Sequence, residues 1–126
     1  MPIEDLKQNE MMAHLIDSLD RGEDIGHYGR LVFAMVGGHF LEPEELKNWL
    51  QRDPSCNEEQ AESLLHQVNE RGYNPPKPQR ILDWMSKQEF PICPHTDHAA
   101  QACNVYRDLQ FPEEVYRKIE QFHRNS

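Results

Sequence analysis

The longest apolar run in the chain, Leu31–Val36, is the feature that most constrains the fold. It reads LVFAMV and is followed directly by Gly37–Gly38. A segment that is apolar on every face must be buried, either as a central helix or as an interior strand. The chain has no second strand-like run to pair with it, and Ala34 and Met35 favour a helix. The sequence therefore predicts a central buried helix that begins after Ile25–Gly26 and ends at Gly37–Gly38.

Helical periodicity also covers most of the remaining chain. In the first segment Met12, Leu15, Ile16 and Leu19 form one apolar stripe. The helix that carries this stripe is predicted from about residue 3 to Leu19 or Asp20. Further helices are predicted from Pro43 to before Asp53, from Asn57 to Gly72, from about Pro78 through Met85, and from Pro112 through Phe122, together with a short helix that starts near Thr96 or Asp97. In the helix that begins at Pro112, Val115, Ile119 and Phe122 are predicted to face inward.

Two proline-containing segments, 73–78 and 90–95, interrupt this pattern and are predicted to be extended. The predicted fold class is therefore all-α, an irregular bundle of six or seven short helices with these two extended segments. A chain of 126 residues is long enough to form a core of its own without a metal or disulfides. We expect one acidic helical domain over residues 1–126, which could be subdivided near 73–78.

Charge and cysteine content limit the partners that we expect. The net charge is −9, and residues 1–73 account for it with 15 Asp and Glu against 6 Lys and Arg. Such a surface repels nucleic acid and anionic lipid, so neither is a predicted partner. The N-terminus lacks the charged and apolar regions of a signal peptide, no run approaches the length of a membrane span, and three cysteines do not form a disulfide framework. A cytoplasmic location is the resulting prediction.

Four potential zinc ligands, Cys93, His95, His98 and Cys103, fall within eleven positions. Their spacing, C-x-H-x2-H-x4-C, differs from the paired spacings of structural zinc sites. On a regular helix His98 and Cys103 would also point about 140° apart. The preferred interpretation is that Cys103 is a buried core cysteine and the two histidines lie on the surface. A zinc site and a Cys93–Cys103 disulfide remain the alternatives.

The aromatic and proline residues of the two extended segments are the better functional lead. Extended proline-containing segments and exposed aromatic rings are common docking elements for partner proteins. The alternative is that these segments strap the bundle and their rings complete its core. The candidate partner-binding residues are Tyr73, Pro75, Pro76, Trp84 and Phe90.

Three functional hypotheses follow. The first is a protein-interaction or regulatory module that binds another protein through residues 73–111. The second is a zinc-binding protein that uses the Cys/His cluster at 93–103. The third is a small enzyme without a recognisable motif, for which no catalytic residue can be nominated. The helix-start cysteine Cys56 has Glu58 and Glu59 beside it, which oppose thiolate formation, so it is predicted to be unreactive. No cofactor other than zinc is suggested.

Overall fold

A computed structural model describes residues 2–124, without the side chains of residue 2 and of residues 98–100 and 119–124. Within that range the chain is helical and contains no strand, which confirms the predicted all-α class and the irregular bundle. The α-helices in chain order are α1 (Pro2–Leu6), α2 (Glu10–Asp20), α3 (Gly26–Gly37), α4 (Pro43–Leu50), α5 (Glu58–Arg71), α6 (Pro78–Met85), α7 (Ala99–Ala102), α8 (Val105–Asp108) and α9 (Glu113–Arg124).

The predicted central helix is confirmed as α3. Every residue from Leu31 to Gly37 is buried, and α2, α4, α5 and α6 all pack against this helix. Gly37 permits the close approach of α4, because a Cβ at that position would lie only 3.1 Å from Leu46 Cδ1. The core therefore surrounds α3, and the other helices are arranged by the apolar stripe that each presents to it.

The predicted first helix is wrong in one respect, because it is two helices. The chain leaves the helical conformation between Leu6 and Glu10, and the fully buried Asn9 restarts it. The Asn9 side-chain oxygen accepts a hydrogen bond from the Met12 N–H at 3.1 Å, which caps α2. Its amide nitrogen donates to Asp108 Oδ2 at 3.0 Å, so this cap also ties the N-terminal helices to α8.

The start and end signals of α5 are confirmed. Asn57 accepts from the Gln60 N–H at 2.8 Å, and the Gln60 side chain accepts from the Asn57 N–H at 3.0 Å, a complete capping box. At the other end Gly72 adopts a left-handed conformation with a φ of 60°, which is the usual requirement at this position.

Both predicted extended segments lack helix, apart from Pro78, which begins α6. The predicted helix after Thr96 is instead a 3-10 turn (Thr96–His98) followed by α7 and α8, because the chain turns at Cys103 and Asn104 caps α8. Val115 on α9 is buried as predicted. The inward orientation predicted for Ile119 and Phe122 lies outside the described side chains.

The first turn of α3 is completed by a distant residue. Its N-cap residue makes no side-chain cap. The Gln88 side-chain oxygen accepts from the Tyr28 N–H at 2.9 Å, while its nitrogen donates to the carbonyls of Ile25 and Phe90. Gly26, with a φ of 80°, leaves the space that this amide occupies. The segment after α6 is thereby held against the start of the central helix.

Candidate functional site

The two cysteines of the Cys/His cluster are joined in a disulfide. Cys93 lies in the second extended segment, Cys103 follows α7 directly, and their Cα atoms are 5.9 Å apart. Both residues are buried, as the preferred interpretation required of Cys103. That interpretation was wrong in treating Cys103 as an unpaired thiol, and the disulfide alternative is the one that the structure contains. The Cys93 N–H also donates to Met85 Sδ at 3.4 Å, which holds the segment against α6.

The intact disulfide removes both cysteines from the set of possible zinc ligands at 93–103. A cysteine binds zinc as a thiolate, and neither sulfur is a thiolate while the two are bonded to each other. The His95 ring lies 3.5 Å from a carboxylate oxygen of Glu10 on α2, and the side chain of His98 is not described. Among the side chains that are described, no three His, Cys, Asp or Glu residues are grouped as a metal would need.

The predicted partner-binding residues do not form one exposed surface. Pro75 and Pro76 are buried, whereas Tyr73, Trp84 and Phe90 are half-buried and pack against the core. Burial leaves the two prolines little surface with which to contact a partner. The alternative, in which the first extended segment straps the bundle, describes these two residues better.

The first extended segment, residues 73–78, is held in place by aromatic residues near the end of the 73–111 region. The Tyr106 hydroxyl donates a hydrogen bond to the Pro75 carbonyl, and burial raises the pKa of Tyr106 to about 12, so the hydroxyl keeps its proton. The Tyr106 ring lies 5.4 Å from Phe111, which in turn contacts Phe40 and His39 edge-on. These contacts bring both ends of the 73–111 region to the C-terminal end of α3.

Trp84 and Phe90 lie elsewhere and have intramolecular partners. Trp84 stacks on Tyr28 at 5.7 Å between ring centroids, with the Arg80 guanidinium 5.8 Å from the indole. Phe90 stacks on the imidazole of His14 at 5.2 Å. Of the five predicted residues, Tyr73 alone lines the larger cavity described next.

A cavity of about 370 Å³ lies where the C-terminal ends of α3 and α5 meet the start of α9. Its apolar wall consists of Ala34, Met35, Val68, Pro112 and Val115. It is a half-open groove rather than an enclosed void, and its volume is within the usual range of roughly 300–1,000 Å³ for ligand sites. We call it the α3–α5–α9 groove.

Polar side chains from α5, from α9 and from the segments that follow α3 and α5 border the groove. They are His39 after α3, Asn69 on α5, Asn74 after α5, and Glu114 and Lys118 on α9. None of the five makes a hydrogen bond or an ion pair with any other side chain or backbone group in the described part of the chain. Their hydrogen-bonding capacity is therefore directed to solvent or to a ligand.

His39 is the titratable group of the groove whose pKa is shifted. Partial burial lowers its pKa, the positive charge of Lys118 lowers it further, and Glu114 acts in the opposite direction. The imidazole is thus neutral at pH 7, with one nitrogen able to donate and the other able to accept.

A second cavity, of about 210 Å³, lies between α3 and the start of α5 and contains the free thiol of Cys56. Burial raises the pKa of Cys56, so it stays a thiol at neutral pH and is a poor nucleophile. Arg30 in the same wall is committed to ion pairs with Asp53 at 2.8 Å and Asp24 at 3.2 Å. The contact with Asp53 joins α3 to the loop between α4 and α5, so the role of Arg30 is structural.

Sequence reasoning did not identify the polar residues of the groove. His39, Asn69, Asn74 and Lys118 have no spacing in the sequence that indicates a site. The available signal was indirect: Gly72 and Pro112 mark the helix ends at which these side chains converge.

No helix within the described residues is long and apolar enough to cross a membrane. Comparison of the chain with protein-family models, with curated proteins and with solved structures gave no match. The functional argument therefore depends on the chain itself.

Proposed function

We propose that the protein is an interaction module that binds a short segment of another protein in the α3–α5–α9 groove. The observation that carries this proposal is the set of unpaired polar side chains around an apolar groove of about 370 Å³. The proposal retains Tyr73 from the predicted partner-binding residues. Pro75 and Pro76 are buried and do not line the groove, so the proposal gives them no direct contact with a partner.

The chemistry of the groove suits a peptide. Each side-chain amide of Asn69 and Asn74 presents both a donor and an acceptor, as a peptide group does, so each can pair with partner backbone. The wall formed by Ala34, Met35 and Val68 can receive an apolar side chain. The excess negative charge of residues 1–73 favours partners that carry basic residues outside the bound segment.

Filling the groove should abolish binding. Asn69 is exposed on α5, so Asn69→Trp introduces bulk into the groove without disturbing the core. His66→Trp is the matched control, because His66 is 78% exposed on the same helix and does not line the groove. Peptides selected from a random linear library on the wild type should bind Asn69→Trp at least about tenfold more weakly and bind His66→Trp unchanged.

Circular dichroism should show both variants to be folded. The proposal is wrong if the library yields no binder, or if the selected peptides bind Asn69→Trp as tightly as the wild type.

A cytoplasmic location is also part of the proposal, and the disulfide provides its test. Cytoplasmic thiols are normally kept reduced, so Cys93 and Cys103 would be free there together with Cys56. Rapid alkylation of intact cells, followed by mass spectrometry of the protein, should then find all three cysteines modified. Modification of Cys56 alone would show that the pair is oxidised in the cell and would count against a cytoplasmic location.

A further inference from the structure

We propose that the exposed side of α6 binds an acidic segment of a partner protein. The binding surface consists of Lys77, Arg80, Trp84 and Lys87, and we call it the α6 surface. Trp84 packs beside Tyr28 at the start of α3, whereas the α3–α5–α9 groove lies at the other end of that helix. The α6 surface is therefore a second binding surface and does not depend on the proposed function.

The spacing along α6 places these side chains together. Arg80 and Trp84 are four positions apart, which makes them neighbours on a helix surface. Lys77 is the N-cap residue, and Lys87 lies in the turn after the helix, where its N–H donates to the Trp84 carbonyl at 2.9 Å. Ile81 is fully buried and marks the inner side of the helix. The three cations are exposed and Trp84 is half-buried, so the surface faces solvent.

The α6 surface is positively charged in a chain that is otherwise acidic. Residues 77–87 contain three Lys and Arg against one acidic residue, Asp83, a net charge of +2 in a chain whose total is −9. Including Glu89 leaves the stretch positive, with three against two. Neither Arg80 nor Lys87 forms an ion pair with Asp83 or with any other described carboxylate. Both cations are therefore available to the carboxylates of a partner.

Trp84 gives the surface an apolar part that is held in place. Its indole stacks on the Tyr28 ring at 5.7 Å between centroids, and the Arg80 guanidinium lies 5.8 Å from the indole centroid. Because the indole is already ordered, a partner binds it at little further cost in side-chain entropy. Tryptophan, tyrosine and arginine are enriched among the residues that dominate binding at protein interfaces. An apolar side chain of the partner can therefore pack against Trp84 while its carboxylates meet the cations.

A second cation–aromatic pair shows why α6 in particular suits an acidic partner. The Arg52 guanidinium lies 3.7 Å from the Trp49 ring centroid, but it also forms an ion pair with Asp20 at 2.8 Å. Its charge is already compensated within the chain. Of these two pairs in the described part of the chain, Arg80–Trp84 is the one whose cation has no carboxylate partner.

The order of residues along α6 predicts a pattern in the partner. Arg80 and Lys87 flank the indole and lie about 10 Å apart along the helix at 1.5 Å per residue. In an extended peptide, alternate side chains point to the same side and lie about 7 Å apart. An acidic, an apolar and a second acidic residue at alternate positions span about 13 Å, and the flexible cationic side chains can cover the difference. A nucleic acid is less suitable, because it would extend beyond residues 77–87 and be repelled by the acidic remainder of the chain.

Two labelled peptides test the inference. The probes are fluorescein-Gly-Gly-Glu-Glu-Leu-Glu-Glu-amide and the same peptide with Gln in place of each Glu, and fluorescence anisotropy measures their binding at low salt. The acidic peptide should bind at least about tenfold more tightly than the neutral one, because its carboxylates can pair with Arg80 and Lys87. Raising the salt concentration to about 0.3 M should remove most of this preference.

Substitution of the arginine has a matched control. Arg80→Gln should weaken binding of the acidic peptide by at least about fivefold and leave binding of the neutral peptide unchanged. Arg52→Gln makes the same change in net charge at the other cation–aromatic pair and should bind the acidic peptide as the wild type does. Asn69→Trp, which fills the groove, should also bind both peptides as the wild type does.

Three results would overturn the inference. They are equal or absent binding of the two peptides, equal losses in Arg80→Gln and Arg52→Gln, and tighter binding of a short oligothymidylate than of the acidic peptide. Equal losses would show that net charge alone is responsible, and tighter oligothymidylate binding would assign the surface to nucleic acid. None of these results bears on the groove, which the peptides selected for Asn69→Trp test separately.

Discussion

Asp53→Ala is expected to lower the free energy of unfolding by about 3–5 kcal/mol, because it removes a buried carboxylate on which three donors depend. Asp53 Oδ2 accepts from the Ile25 N–H at 2.9 Å and from Arg30 at 2.8 Å, and Oδ1 accepts from the Ser55 N–H at 2.8 Å. The alanine variant would leave the Ile25 N–H without an acceptor in a fully buried residue. It would leave Arg30, whose side chain is 16% exposed, with only the weaker partner Asp24.

The chain contains a matched control for this prediction. Asp20 and Arg52 form an ion pair at the same 2.8 Å distance, but the Asp20 side chain is 69% exposed whereas that of Asp53 is 0% exposed. Asp20→Ala should therefore cost less than about 1 kcal/mol. Urea unfolding followed by circular dichroism measures both variants. Equal losses in the two would show that burial of the Arg30–Asp53 pair has no bearing on stability.

The elements that could be predicted from sequence are those that local signals specify. The capping box at Asn57 and Gln60, the glycine at position 72 and the apolar run of α3 each depend on residues a few positions apart. The residues that make up each signal are close together in the sequence, so the signal can be recognised without knowledge of the fold.

The errors arose where distant residues decide the local structure. Asn9 ends one helix and begins another because it is buried against Asp108, 99 positions away. The cap of α3 is likewise supplied by Gln88, 60 positions beyond Tyr28. No pattern in the flanking residues records such a contact. The burial of Cys103 was predicted, whereas its bond to Cys93 was only an alternative, because core packing and a disulfide both require a buried cysteine.

The candidate site was the least predictable part of the molecule. His39, Asn69, Asn74 and Lys118 come from three stretches of the chain that meet only after α3, α5 and α9 have packed. Each residue on its own is an ordinary polar group near a helix end. The aromatic and proline content of 73–111 drew attention to Tyr73, which lines the groove, but the other four predicted residues do not line it.

The second large effect is expected from the Cys93–Cys103 disulfide. A bridge across ten positions should stabilise the fold by about 3 kcal/mol through restriction of the unfolded chain. Reduction with a phosphine should therefore lower the Tm by about 10 °C for a domain of this size. The double variant Cys93→Ala with Cys103→Ala should start at a Tm near that of the reduced wild type and should not respond to the reductant. Thiol titration of the unfolded wild type should find one free thiol per chain, that of Cys56.

Two further measurements distinguish the disulfide from a zinc site at the same residues. Cys56→Ala should keep the full response to reductant, because Cys56 is not part of the bridge. A chelator should leave the Tm of the oxidised protein unchanged, and His95→Ala should change stability by no more than about 0.5 kcal/mol, since His95 is exposed. A Tm that falls with chelator but not with reductant would reverse the assignment. So would three free thiols together with one equivalent of zinc, because a metal site needs both sulfurs as thiolates.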